Sequence, residues 1–524
     1  MSKLRAAPMA LRGSVLSVLA VAALRADCAA APLDVAPPAG RVVILIRPGA
    51  TAAEIQRRLD AAPSGAIIRL SAGDFAFDRP VYVQRPGIAL LGEGTGRTVI
   101  HLKTAGCANP TALIVGEQDS NSRPVKLLSD LDQGDRRVRL AGNIRPGDIL
   151  LVSEANDERY TAALDAAGVF HTASKAPLRQ MMARVSAAFA PGEYLLSSPS
   201  PFSFDLRRSS SSVVDLASGM EVGGFSIVTD VSRPDPQVFD NVMPCPSNIA
   251  TVDVRNVTSS SVHDIKVRNS ISSAFQFSRA FRITANRLSA EGAVNKGGEG
   301  NGYAYRLTLG FENTFSNLED RDMRHSFLFS AEAAEFYNNI SIIFTNRNVD
   351  FHGGDDRSNT VTVLRSEQEY NPAGPAWAAV SERSRSGARV TLNSNDVKFG
   401  WLRGSRAAEL VHGLDNGAYL DGEGGNDTLY SGAGGDTLVG GPGDDLLFGG
   451  EGCDRFVFRP GDGDDIISDL GRCDRIDIRA FHHVSAVAIS VQARGGDVWI
   501  DFGSGEGVQV RNSGVAAVRA ALIP

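Results

Sequence analysis

Residues 422–457 run through one nine-residue pattern four times without a gap: GEGGNDTLY, SGAGGDTLV, GGPGDDLLF and GGEGCDRFV. Aspartate keeps one register, as Asp427, Asp436, Asp445 and Asp454, and a large apolar side chain keeps another, as Leu429, Leu438, Leu447 and Phe456. Few folds accept such a chain. Its glycines admit turns that other residues resist, and one apolar residue per repeat cannot bury itself, so the repeats must stack to make a core. The expected product is a stack of short coils whose aligned aspartates repel one another unless a cation lies between them.

The register G-G-x-G-x-D-x-U-x resembles the RTX repeat. That resemblance implies Ca²⁺ as cofactor, held by Asp427, Asp436, Asp445 and Asp454 with backbone carbonyls as hard oxygen ligands, and folding coupled to the metal. The following segment, FRPGDGDDIISDLGRCDRIDI, is similar to the stretch that closes RTX arrays and adds Asp462 and Asp464 as candidate ligands. The small parallel β-roll that the resemblance implies is expected over 413–478. Alternating strands within 479–524 are expected to cap it.

Charge divides the chain at the same place. Residues 409–478 hold sixteen acidic and four basic residues, while the whole chain carries −7, so the remainder is net basic. No basic stripe with interleaved aromatics runs through that remainder, which argues against nucleic acid, whereas separate Arg and Lys side chains suit the carboxylates of an acidic polysaccharide. Lys3, Arg5 and Arg12 precede the apolar run 15–24, and small residues follow at 29–31. Residues 1–31 therefore read as a signal peptide and the protein as secreted. No later run is long and apolar enough for a membrane span. Cys28 leaves with the signal, and Cys107, Cys245, Cys453 and Cys473 suit disulfides, with three connectivities open.

Upstream, 40–402 reads as stacked short strands. VVILI, TAAEIQRRLDAA and AIIRLSAGDFAF give strand, helix, strand, and VYVQRPGIALLGEGTGRTVIHL gives short strands broken at glycines. This opening is similar to that of pectate-lyase-like right-handed parallel β-helices, in which a helix covers the strand edges at the open end of the stack. Over 213–395, phrases such as VHDIKVRNS, FRITANRLSA, EFYNNISIIF and NTVTVLRSE recur at solenoid spacing. Asn269, Asn286, Asn317, Asn339 and Asn393 near their ends suit amide ladders and left-handed turns. The repeat lapses over about 153–185, predicting an excursion in which His171, Lys175 and Arg179 edge a groove. The expected fold class is all-β: a right-handed parallel β-helix followed by a calcium-binding parallel β-roll.

The densest chemistry lies in RDMRHSFLFS (321–330) and VDFHGGDDRSN (349–359), about one repeat apart. On adjacent rungs of a stack, about 4.8 Å apart, their side chains meet in one groove. Asp350 and His352 share a strand face, and Phe351 anchors the other. A long shallow groove suits a polymer. Breaking a uronate polymer by elimination needs a cation on the sugar carboxylate, a base for the C5 proton and an acid for the departing oxygen. Arg321, Arg324, Arg347 and Arg357 are candidates for the first role, and His352, oriented by Asp350 or Asp355, for the second. His325 is the candidate acid, although alternation sets it beside Met323, Phe327 and Phe329 as a core histidine would be. Tyr303 and Tyr305 are alternative donors, and Tyr305, Arg321, Arg347 and Asp355 are candidate substrate-binding residues.

Asp350-Phe351-His352 resembles the D-P-H core of mannuronan C5-epimerases, β-helix enzymes that often carry calcium repeats behind the catalytic part, which implies an active-site role for Asp350 and His352. Phe351, Gly353 and Arg347 stand where that family's motif has proline, an acidic residue and tyrosine. Lyases and epimerases share removal of the C5 proton. The expected function is a secreted polysaccharide lyase acting on a uronate polymer, with C5-epimerase as the alternative. A hydrolase using two of Asp355, Asp356, Glu367 and Glu369, or a non-catalytic carbohydrate-binding adhesin, are further readings.

Overall fold

The structure, a computed structural model, describes residues 40–524 apart from 105, 119, 167–176, 299, 353–355, 369–376, 383–394, 484–488 and 504. The signal peptide expected at 1–31, and His171, Lys175, Asp355, Glu369 and Asn393, lie outside the described residues.

Among those residues the strands form a 24-stranded sheet, a nine-stranded sheet and a closed six-stranded barrel. The chain alternates between the first two, the back and front sheets. Each coil lays one strand in the back sheet, turns a corner, lays the next in the front sheet and turns again: Thr284–Ala293 then Tyr303–Thr308, Thr314–Arg321 then His325–Phe329, Asn339–Phe344 then Val349–Phe351. Successive coils pair in parallel. This is a parallel β-helix. Period-two patterning drives it: Phe275 and Phe277, Tyr305 and Leu307, Phe327 and Phe329, Val349 and Phe351 all enter one core. Their rings stack coil on coil, Tyr305 on Phe275 at 5.5 Å and on Phe327 at 6.2 Å, and Phe351 on Phe329 at 4.4 Å. Each such burial contributes about 1.5–3 kcal/mol, which no single coil can achieve alone.

Helix Ala52–Ala61 covers the first coils. Thr51 and Glu54 form its capping box, Ile55 and Leu59 are buried, and Arg85 donates to the carbonyls of Leu59, Asp60 and Ala62 at its far end. At the corner leading from the front to the back sheet, buried asparagines form an amide ladder. Asn313 donates to Asn338, Asn338 to Asn359 and Asn359 to Asn395, at 2.9, 2.9 and 3.0 Å. The expected rung at Asn339 is displaced by one residue, because Asn339 is exposed at the start of its strand while Asn338 turns inward. Asn269 and Asn317 take the left-handed backbone, each at φ 55°.

The excursion is larger than the 153–185 expected. Six antiparallel strands, from Asn121–Leu127 to Ser209–Asp215, close a barrel that packs Phe202 against Phe336 of the ladder corner at 5.1 Å. Strand Asp396–Ser405 then carries the back sheet into the roll, pairing with both Leu410–Gly413 and Tyr419–Glu423. In the roll Leu429, Leu438, Leu447 and Phe456 are fully buried. Gly507–Val510 pairs with Asp464–Ile467, and Leu522–Ile523 with Arg475–Asp477, so the C-terminal segment closes both edges. Disulfides join Cys107 to Cys245 and Cys453 to Cys473. Among the described residues no helix is long and apolar enough to cross a membrane.

Candidate active site

Strand Val349–Phe351 sends Val349 and Phe351 into the core and leaves Asp350 on the outer face, where it meets His352. A relay of side chains closes there. His352 Nδ1 donates to Asp350 Oδ2 at 3.0 Å, Ser381 Oγ donates to Asp350 Oδ1 at 2.8 Å, Asn348 donates to Ser381, and His325 Nδ1 donates to Asn348 Oδ1 at 2.8 Å. His325 Nε2 stands 3.7 Å from Asp350 Oδ2. Because oxygen acceptors face both Nδ1 atoms, Nε2 is the basic nitrogen of each neutral ring. His352 keeps 16% of its side chain open to solvent, against 6% for Asp350 and 4% for His325.

Burial pushes the Asp350 carboxyl up, but the charges and hydrogen bonds of His325, His352 and Ser381 outweigh it and hold it down at about 2. Asp350 is an ionised group that orients His352. His325 goes the other way for its type: burial, joined by the charge of Arg324, pushes it down to about 4 against the pull of Asp350. Trp377 lies 4.7 Å from the His325 ring and 5.5 Å from Phe239, with the Arg324 guanidinium 5.8 Å from it. Phe239 belongs to a strap over 231–249. Lys296 Nζ sews it down on the carbonyls of Asp235 and Pro236, at 2.8 and 3.1 Å, and Cys245 tethers it to Cys107.

Other expected residues are committed elsewhere. Tyr305 is fully buried in the ring stack, its hydroxyl shared between the carbonyls of Leu288 at 2.8 Å and Glu319 at 2.7 Å, so it touches no groove. Tyr305→Phe keeps the stack and strands a buried carbonyl, and it is expected to cost about 1–3 kcal/mol in a denaturant melt while leaving ligand binding unchanged. Arg347 is buried too, donating to the carbonyls of Met323 at 2.6 Å and Asn346 at 2.9 Å and lying over Phe239. It fastens the strap. Arg321 ends a back-sheet strand and lies on Phe344 at 3.6 Å, around the corner from the relay. Arg357 packs on Phe202 of the barrel at 5.1 Å, at the opposite corner. His325, neutral and with its N–H on Asn348, is no proton donor.

Residues that sequence reading missed form the floor beside the relay. Asp253, Gln276, Arg306, Leu328, Asp350 and Ser381 pair in one row across the front sheet. Arg255, Ser278 and Thr308 form the next row. Among the described residues, five buried atoms on this face have no hydrogen-bond partner: Asp253 Oδ1, Arg255 Nε, Gln276 Oε1, Arg306 Nε and Thr308 Oγ1. Buried polar atoms left bare cost roughly 1–3 kcal/mol each unless a ligand or water meets them. Alternation carried the signal, in Val252-Asp253-Val254-Arg255 and in Tyr305-Arg306-Leu307, where the flanking residues enter the core.

In the roll each aspartate reaches back one full turn. Asp427 Oδ1 accepts from the Glu409 amide at 2.7 Å, Asp445 from Asp427 at 2.8 Å, Asp454 from Asp436 at 2.9 Å, and Asp436 from Ala418. Residues 419–456 match the RTX calcium-binding nonapeptide repeat in 4 copies. RTX repeats bind calcium, and the donors here fit it. Asp445, Asp454 and Asp465 each keep a buried Oδ2 with no hydrogen-bond partner among the described residues, and burial, with neighbouring carboxylates, pushes them up to about 7, 6 and 9. A hard divalent cation relieves both penalties. The glycines make room, since a Cβ on Gly440 would stand 2.0 Å from Asp445 Oδ2. Among the described residues no three acidic, His or Cys side chains converge, so carbonyls must complete each shell. Asp436 spends its second oxygen on Gly432, and Asp462 accepts from the Arg459 amide. Asp464 is exposed, and Asp465 and Asp474 continue the ladder in its place at 2.9 and 3.0 Å.

No curated protein matches the chain. Among solved structures it is similar to the tailspike protein gp49 of Pseudomonas phage LKA1, with a TM-score of 0.50 and 14% identity over 81% of this chain and 69% of that one. It is also similar to the Gp54 tailspike of Acinetobacter baumannii bacteriophage AP22, solved with A. baumannii capsular saccharide, with a TM-score of 0.46 and 10% identity over 86% and 82%. At these identities the likeness is one of fold.

Proposed function

We propose that this protein is a secreted polysaccharide lyase that lays an acidic polysaccharide along the outer face of the front sheet and cuts it by β-elimination. The observation that carries this reading is the Asp350–His352 pair, seated beside a floor of buried polar atoms that the protein leaves bare. An imidazole whose Nδ1–H is held by an ionised carboxylate offers Nε2 as a base. In the proposed step Nε2 takes the C5 proton of a uronate, the C–H electron pair forms the C4–C5 double bond, and the C4–O bond breaks. The imidazolium then returns the proton to the departing oxygen, so one side chain serves as base and acid. Arg324, beside His325, supplies positive charge towards the carboxylate that gains negative charge in the transition state. A hydrolytic reading has less support, because Asp356 is buried and bonded to the Glu335 amide at 2.7 Å and Glu367 is bonded to Arg365. Calcium is assigned to the roll.

The test is incubation of the purified protein with alginate, polygalacturonate and bacterial exopolysaccharides in the presence of calcium. New ultraviolet absorbance from unsaturated ends supports elimination. Altered uronate composition without shortening assigns C5-epimerisation instead, reducing ends without unsaturation assign hydrolysis, and binding with no chemical change reduces the protein to an adhesin.

A further inference from the structure

Arg306 is the most deeply set cation of the front-sheet floor. Only 7% of its side chain is open. A guanidinium out of water needs charged or fully satisfied surroundings, and those of Arg306 are only partly so. One amino group donates to the neutral Asn248 Oδ1 at 2.5 Å. Among the described residues its one carboxylate within 4 Å is Glu332, at 3.4 Å and with 44% of that side chain in solvent, a bridge worth little. Its Nε is buried with no partner among the described residues. Asp253 is ion-paired with Arg255, at 3.4 Å, and burial outweighs the charges of Arg255 and Arg306 and pushes that carboxyl up.

The position is as informative as the burial. Arg306 pairs with Leu328, which pairs with Asp350, so it stands two strands from the base-orienting carboxylate, about 10 Å along the direction in which strands stack. On its other side it pairs with Gln276, whose Oε1 is also bare, as is Thr308 Oγ1 two residues along its own strand. One unspent cationic donor flanked by unspent neutral groups is the complement of a sugar with one carboxylate among its hydroxyls. A pillar that merely held Asn248 would not gather bare neighbours around it.

We propose that Arg306 is the charge-reading residue of a subsite two strands ahead of Asp350, taking the carboxylate of an acidic sugar while Gln276 and Thr308 meet its hydroxyls. The proposal rests on the reading that a polysaccharide lies along this face, and it adds which substituent is recognised and where. Arg306 is a specificity residue, distinct from the base.

Calorimetric titration tests it, using hexuronate oligosaccharides from alginate and polygalacturonate and the same oligosaccharides after chemical reduction of their carboxyl groups. Wild-type protein is expected to bind the carboxylated form tighter by about tenfold to a hundredfold, the range for a hydrogen bond to a charged group, and only that binding should weaken with added salt. Arg306→Gln should bring the carboxylated ligand down to the affinity of the reduced one and leave the reduced one unchanged, and Arg306→Lys should recover part of the difference. The salt dependence is read on the wild type and needs no variant to fold. Equal loss on both ligands, a wild type without charge preference, or no binding of either ligand overturns the subsite. A charge preference with no turnover of any polymer upholds the subsite and refutes the lyase reading. Turnover that His352→Ala abolishes, without charge preference, does the reverse.

Discussion

Chelating calcium at about pH 8 unfolds residues 409–478 while the coils ahead of them stay folded. At that pH the apo roll must hold Asp445 and Asp454 as buried carboxylates with bare oxygens and Asp465 as a buried acid. Each bound ion contributes about 2.7 kcal/mol at a free concentration a hundred times its dissociation constant, and chelation removes that from every site at once. The pH dependence gives the sign. The folded roll raises these groups from 3.8 to about 7, 6 and 9 and raises Glu409 from 4.5 to about 9. Without metal, stability is therefore full below the unfolded values and is lost as pH climbs through the folded ones. The melting temperature of the chelated roll should fall between about pH 4 and pH 9, whereas with calcium it should rise over the same window as the ligands deprotonate. Circular dichroism melts with and without chelator read both slopes, and a chelated roll that gains stability with pH contradicts the account.

His352→Ala should lower turnover by about a hundredfold to ten-thousandfold, the usual contribution of a positioned acid–base group, and should lower stability by about 1–3 kcal/mol because it removes the hydrogen bond to the buried Asp350 Oδ2. Asp350→Asn should lose nearly as much for a different reason. The amide can face His352 with either oxygen or nitrogen, so the ring is no longer held with Nδ1–H inward. His325→Ala should leave a smaller defect, since that ring orients Asn348 and bears on Asp350 without reaching the proton. Steady-state rates on whichever polymer the panel identifies check all three, and equal rates for wild type and His352→Ala remove His352 from the mechanism.

Much of the scaffold was legible because it follows from period. Nine-residue spacing placed the roll's aspartates and leucines, and two-residue alternation put Phe351 inside with Asp350 outside. What failed depended on partners distant in sequence. Arg321 and Arg324 are three residues apart, yet a corner separates them, and only coil stacking decides which sheet each serves. Tyr305 and Arg306 look equally chemical in YAYRLT, but the first enters the ring stack and the second the floor. Asp465 replaced Asp464 because the last turn of the array spans twenty residues, from the Asp445 amide to Asp465, where earlier turns span eighteen. The barrel escaped because its strands pair antiparallel among themselves, outside the repeat.

The most direct measurement is a crystal structure of the His352→Ala variant, with calcium, soaked in the oligosaccharide that the wild type processes. The account predicts a sugar chain across the front-sheet floor, one carboxylate at Arg306 and a ring whose C5–H points at the space left by the imidazole. A chain bound to the back sheet, the barrel or the roll, with the floor occupied by water alone, would contradict it.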